Sequence, residues 1–299
     1  MDFAKPWLNT FKVRFSYGSV GNDDVGSNRF ISTISTANSP WIINDTNPLY
    51  SGVPGLVSPT LTWETVTTSN LGFDTRFLKD KVGVTFELDE RVTSYMIAAG
   101  ESVPNTLGTT APQRNYGELT TKGLELQVDF NHTFNNGLRL TASGNISKFE
   151  TKITKFASAS APAVTSNYEG KVIGEIWGYK TNGLYQAEDF VYSNGAIQTV
   201  VNPADGKTTN QTVAGFPFQS YLESGTFRFS PGDVRFVDVN GDGVVDNGAT
   251  KVNDNGDLVV HGNTQPRFPS GFRYGHEGHG IDFDIFFHGV GWGQRRATG

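Results

Sequence analysis

Residues 122–134 read KGLELQVDFNHTF, and their alternation decides the class of fold. Successive strand residues point to opposite sides of a sheet. Leu124, Leu126, Val128 and Phe130 therefore share one face, and Glu125, Gln127, Asp129 and Asn131 share the other. One face calls for lipid or a core, and the other for water. The same two-faced pattern recurs on either side along the chain. In 82–91, Val82, Val84, Phe86 and Leu88 oppose Thr85, Glu87 and Asp89. In 11–17, Phe11, Val13, Phe15 and Tyr17 oppose Lys12, Arg14 and Ser16, and in 281–288, Ile281, Phe283 and Ile285 oppose Asp282 and Asp284. Leaner versions at 69–77, 138–149 and 268–275 bring the strands to about seven, an all-β reading.

The connections carry the next step. Tight turns at 78–81, 135–137 and 276–280 interleave with large loops that begin at Gly18, Val92 and Glu150, the last running to about residue 267. In an antiparallel meander this rhythm gathers every long loop at one end and every tight turn at the other, the layout of a transmembrane β-barrel. The strands, roughly seven to thirteen residues, bracket the 9–11 or so that a tilted barrel strand needs. A soluble β-sandwich alternates for the same reason, so alternation alone leaves that reading open. The loop asymmetry favours the barrel, and Tyr17, Phe77, Phe134 and Tyr274 near strand ends suit its interfacial aromatic girdles.

Composition excludes several classes. No run of about 18 apolar residues exists, which rules out a membrane-spanning helix. The mean hydropathy of −0.34 does not discriminate, because a barrel strand shows the lipid only every second residue. A net charge of −6 without a basic stripe gives no support to nucleic-acid binding. The absence of cysteine removes disulfides, thiol catalysis and cysteine-ligated metals. Met1 leads into Asp2, Phe3 and Ala4 without a basic-then-apolar leader, which suggests an internal piece of a longer exported chain.

The sharpest chemical motif is DVNGDGVVD at 238–246. Asp238, Asn240, Asp242 and Asp246 place side-chain oxygens at positions one, three, five and nine. Gly243 supplies the turn at six, and the Val244 carbonyl stands at seven, matching the first part of a calcium loop. Position twelve is Ala249 instead of the closing glutamate, leaving Asp233, Asp254 or water to complete the shell. The spacing predicts a structural calcium ion; the alternative is a metal-free Asx-rich turn. No organic cofactor is indicated.

Aromatic residues with polar edges in the loops, Trp41, Tyr185 and Tyr192, are candidates for ligand or partner contact. Trp63 and Trp177 read more simply as packing residues. His276, Glu277 and His279 fall in a turn, and Glu188 beside Asp189 has no visible partner across a cleft. No nucleophile elbow or phosphate loop appears, so no catalytic residue is assigned and the chain does not read as an enzyme.

Ordered blocks along nearly the whole chain make one family resemblance specific. They are 8–18 (LNTFKVRFSYG) with Gly21-Asn22, 61–64 (LTWE), 70–74 (NLGFD), 123–126 (GLEL), 177–179 (WGY) with 183–185 (GLY), 232–243 (GDVRFVDVNGDG), and 266–272. Together they resemble the SusC/RagA-like, TonB-dependent transporters of the bacterial outer membrane. The resemblance implies a barrel of about 22 strands closed by a plug. It implies import of oligosaccharides or peptides driven through TonB, with a SusD-like surface lipoprotein as cap. With about seven strands and neither a plug nor a TonB-contacting segment, residues 1–299 would be a partial barrel domain. The apolar faces would meet outer-membrane lipid, and Arg14, Arg76, Glu87, Glu125, Asp129 and Arg273 would line the lumen. The competing readings are a soluble extracellular, calcium-stabilised β-sandwich acting as adhesin or carbohydrate-binding module, and a secreted glycoside hydrolase.

Overall fold

Alternating β-branched and aromatic residues build seven long strands, β1 (Leu8–Asn22), β2 (Glu64–Phe77), β3 (Val82–Ala98), β4 (Arg114–Thr133), β5 (Arg139–Lys155), β6 (Phe268–Gly278) and β7 (Ile281–Gly291). The computed structural model describes residues 7–23, 31–98, 104, 106, 108–109, 111–157, 160–291 and 293–294. Residues 1–4 lie outside this set. The seven strands form one antiparallel sheet in simple sequential order.

The register keeps each face continuous from strand to strand. Val13 pairs with Phe73, Phe73 with Phe86, Phe86 with Leu126 and Leu126 with Ile146, a single apolar row across five strands. The next row on the same face runs from Phe11 through Val84 and Val128 to Phe272 and Phe287. This face stays open. Phe15 is 72% exposed, Phe11 56% and Phe287 56%, and Leu88, Val128 and Ile146 are exposed too. Among the described residues the other sheets are two-stranded, and none matches the seven-stranded sheet as the second layer of a sandwich would. A contiguous bare apolar surface of this kind marks an interaction or membrane face.

The strands outrun their apolar stretches. β3 continues to Ala98 instead of Arg91, β4 starts at Arg114 instead of Lys122, and β5 ends at Lys155 instead of Phe149. Each extension lies at the long-loop end. Hydroxyl pairs such as Thr121 with Thr151 at 2.9 Å and Ser19 with Thr67 at 3.2 Å replace apolar contacts there while the backbone ladder continues. Hydropathy alternation therefore measures the apolar band and not the strand. At the other end the turns are tight. Leu78, Lys79 and Asp80 all adopt left-handed backbone, and the β6–β7 turn shrinks to His279 and Gly280 because β6 runs on to Gly278. Among the described residues, β1 and β7 each pair on one side only.

The chain divides into two compact units, the second built from Ser158–Asn167, Gly174–Thr264 and Gln294–Gly299. Most of the excursion expected as a loop over about 150–267 thus folds around its own core. Tyr185, Phe190 and Phe229 are buried, with Ile197, Phe216, Leu222 and Phe236 packed against them. Short strand pairs frame this core: Glu175–Tyr179 with Leu258–Asn263, and Thr181–Leu184 with Val234–Phe236. The blocks at 177–185 and 232–243 are the parts of the excursion that pair with one another and with 258–263.

The facing of the sheet can be tested by adjacent substitutions on β4. In the full-length protein refolded into lipid vesicles, Leu126→Arg should cost about 2–4 kcal/mol, the penalty of a cation near a bilayer midplane. Gln127→Arg, on the opposite face, should change stability by less than about 1 kcal/mol. Denaturant titration followed by fluorescence reads both, and equal costs would contradict the assignment.

Candidate functional site: the charged face and the aspartate loop

The six residues expected to line a lumen fall into two rows on the polar face. Arg14, Glu87 and Glu125 share one, running through Gly72, and Arg76, Asp129 and Arg273 share the other, running through Gly83 and Ser143. Arg14 is bidentate to Asp74, with Nε donating at 2.7 Å and Nη2 at 3.0 Å, and Nη2 also donates to Glu87 at 2.5 Å. Arg76 pairs with Asp129 at 2.5 Å, and Arg273 Nε donates to Asp284 at 2.8 Å. Glu125 is exposed and lies directly opposite Glu87, whose charge Arg14 offsets. Asp74 and Asp284 complete the network. Asp74 lies inside the NLGFD block and Asp284 within the alternation of 281–288, and neither spacing marks it as an arginine partner.

Glycine makes these pairs possible. A Cβ on Gly72 would stand 3.0 Å from the Arg14 guanidinium carbon, and one on Gly83 would collide with both Arg76 and Asp129. A Cβ on Gly123 would collide with the Asp89 carboxylate in the same way. Interior strand glycines thus seat charged side chains that lie flat across the neighbouring strand, the close approach that such glycines often mark. Surface pairs of this kind add little to stability. Their joint effect is to satisfy charge along a face that carries few apolar groups.

In the second unit, the aspartate loop binds its own backbone. Asp238 accepts from the amides of Gly241 at 2.6 Å and Gly243 at 2.8 Å, Asn240 accepts from Asp242, and Asp242 accepts from Val244. Gly241 and Gly243 take left-handed backbone, as the turn requires. Asp246 accepts from Gly248. The residue that sequence spacing did not reveal is Asp257. Fully buried, it accepts from Val239 at 2.5 Å, Asn240 at 3.3 Å and Asp246 at 2.9 Å, tying both ends of the loop together. Asp233, suggested as a completing ligand, instead accepts from the Ser230 amide. Among the described residues, no three His, Cys, Asp or Glu side chains stand together as a metal cluster.

The aromatic candidates separate. Trp41 is 76% exposed, and Tyr192 is exposed on a short hairpin with Ile197. Tyr185 is corrected: it is buried, its ring 5.1 Å from that of Phe190, so it packs the core and offers no surface to a ligand. The reason is local: Tyr185 follows the strand Thr181–Leu184, and its ring lies against those of Phe216 and Phe229. Trp177 donates to Glu175 at 2.9 Å, whereas Trp63 remains largely exposed with its ring against Gly21. Beside the core, a cavity of about 550 Å³ is lined by Asn182, Phe216, Pro217, Arg235, Phe236 and Asp238, with Arg235 lying over the Phe216 ring.

No family profile matches the chain. Two curated proteins of Formosa agariphila do. TonB-dependent receptor P39 is 24% identical over 94% of this chain, and TonB-dependent receptor P3 is 22% identical over 94%. The chain is similar to proteins named TonB-dependent receptors. It spans about a quarter of those relatives' length, 26% and 25%. Among solved structures, the RagAB peptide importer in its open-open state aligns with 95% of this chain and 26% of its own, at TM-score 0.58 and 17% identity. The closed-closed state aligns at 0.56 and 18% identity, over 95% and 27%. The likeness shows a shared fold, an all-β antiparallel segment of barrel type. Relatives named as receptors also agree with the absence of an assigned catalytic group.

Two outcomes follow from this geometry. Gly83→Val in the full-length protein should displace the ends of Arg76 and Asp129 and weaken their pair, at a cost within about 1 kcal/mol. Combined with Arg76→Ala, the loss should be smaller than the sum, because the displaced guanidinium is gone; additivity in a denaturant titration would contradict the seating. Burial pushes the Tyr185 phenol up to about 12 from 10.0. The unfolded chain therefore loses this proton first, so stability of the second unit, intact below pH 10, should fall as pH rises toward 12. Tyr185→Phe should flatten that decline in a pH series of thermal melts.

Proposed function

We propose that the seven strands are one arc in the wall of an outer-membrane, TonB-dependent importer, whose other strands lie elsewhere in the full-length protein. The observation that carries this reading is the open apolar face backed by a charged, glycine-seated face in one continuous meander. Lipid is the solvent that suits the first face and a polar lumen suits the second. In a bilayer every backbone group must be satisfied within the protein. The sheet edges at β1 and β7 therefore call for further strands, in keeping with a chain about a quarter as long as its relatives.

The substrate in this reading is an oligosaccharide or a peptide, captured at the long-loop end with a SusD-like lipoprotein and drawn inward through TonB. Its support is the relatives' designation as TonB-dependent receptors and the fold shared with the RagAB peptide importer. Cells carrying the full-length protein should accumulate labelled oligosaccharides or peptides only when TonB is present. Uptake unchanged by TonB deletion would overturn the proposal.

The aspartate loop is proposed to take a structural calcium ion, with Asp238, Asn240, Asp242, the Val244 carbonyl and Asp246 supplying oxygens. Its support is the spacing of those oxygens together with left-handed Gly243 at the sixth position. Calorimetric titration of the full-length protein with calcium should show saturable binding that Asp242→Ala abolishes. Absence of heat from the unaltered protein would remove the ion and leave the loop held by Asp257, its own Asx bonds and the backbone of Phe218.

A further inference from the structure

The apolar face of the seven-stranded sheet is bounded differently at its two ends. Toward the tight turns a row runs His132, Leu140, His276 and Phe283, with no lysine, arginine or carboxylate in it. Toward the long loops the face passes from an apolar row into a charged belt. Phe15, Leu71, Leu88 and Leu124 lead across four strands to Lys148 on the fifth. The next row runs Tyr17, Ser69, Glu90, Lys122 and Glu150, and the one beyond it Ser19, Thr67, Val92, Thr120 and Lys152. Register therefore puts Lys122, Lys148 and Lys152 on the same face as the apolar rows.

The carboxylates of this belt are already answered. Glu90 pairs with Lys122 at 3.1 Å, and Glu150 pairs with Arg267. Lys148 Nζ lies over the Phe268 ring, 5.9 Å from its centroid, and Lys152 is exposed. Among the described residues neither of these two lysines forms an ion pair with a carboxylate. The belt thus holds a surplus of two positive charges, in a chain whose net charge is −6. Lys148 and Lys152 stand four residues apart on β5, about 13 Å along a strand. Long side chains can close that span from both ends, with their stems on apolar surface and their ammonium groups at its border.

We propose that Lys148 and Lys152, flanked by Lys122 and Arg267, bind the phosphate-bearing headgroup of an outer-leaflet lipid whose acyl chains lie on the rows of Phe15, Leu88 and Leu124. Surplus positive charge calls for an anion, and anionic headgroups attract lysines placed at a membrane surface. Continuity with the apolar rows calls for an anion that carries acyl chains, which neither free phosphate nor an acidic protein supplies. The row toward the tight turns lacks such cations, so the site is one-sided and suits a lipid confined to one leaflet. The inference rests on the transporter reading, which sets the apolar face in lipid and the long loops outside the cell.

The test is native mass spectrometry of the full-length protein, purified in detergent and titrated with lipid A, with the same lipid A stripped of its phosphates, and with inorganic phosphate. Lipid A should bind saturably, and the form without phosphates about thirtyfold more weakly. Lys148→Gln and Lys152→Gln should each weaken lipid A about fivefold, and together about thirtyfold. Lys12→Gln, on the opposite face, should leave binding unchanged. Unaltered heat-modifiable mobility on a gel would show that the variants fold. Equal binding of the two lipid forms, binding indifferent to the double variant, or displacement of lipid A by inorganic phosphate would each overturn the proposal. Failure of the transporter reading would show separately, as absence of the protein from the outer-membrane fraction; failure of this inference alone would leave the protein there without phosphate-selective lipid binding.

Discussion

Every cross-strand pair in the main run of the seven-stranded sheet joins residues of the same face, and the remaining features of the first unit depend on that register. A slip of one residue would carry Phe73, Phe86 and Leu126 to the charged side and Arg14, Arg76 and Asp129 to the apolar side. The cost of the misplaced charges would fall on every strand at once. Register is thereby specified by the sum of many weak preferences. It also explains how a chain of modest hydropathy can own a continuous apolar surface.

The charged face is organised by the same alternation. Gly72, Gly83 and Gly123 fall at positions where a neighbouring strand's arginine or carboxylate must lie down across the sheet. Larger residues there would lift the ion pairs away from the surface. The second unit uses a different device: buried Asp257 gathers three backbone amides, and buried Asn202 donates to Ser220, which donates in turn to Asp205. The first unit pairs its charges across strands, and the second adds a buried carboxylate that gathers backbone amides.

Much of this was legible in the sequence. Alternation located all seven strands, and the six charged residues assigned to one face occupy one face. The strand ends were not legible, because Thr121, Thr151 and their neighbours keep the ladder while breaking the hydropathy pattern. Tyr185 misled because an aromatic beside glycines in a long connection looks like surface until the connection is known to have a core. Asp257 carried no motif; its role arises from three amides brought together by folding. The similarity to TonB-dependent receptors was legible through ordered blocks, several of which coincide with strand pairings or glycine seats.

The measurement that bears most directly on the central claim is fractionation of cells expressing the full-length protein, followed by gel mobility with and without heating. The account predicts recovery in the outer-membrane fraction and a heat-dependent shift, the behaviour of a closed barrel in which these strands are one arc. A soluble or secreted product without that shift would mean that the apolar face is covered by protein and not by lipid, and would contradict the account.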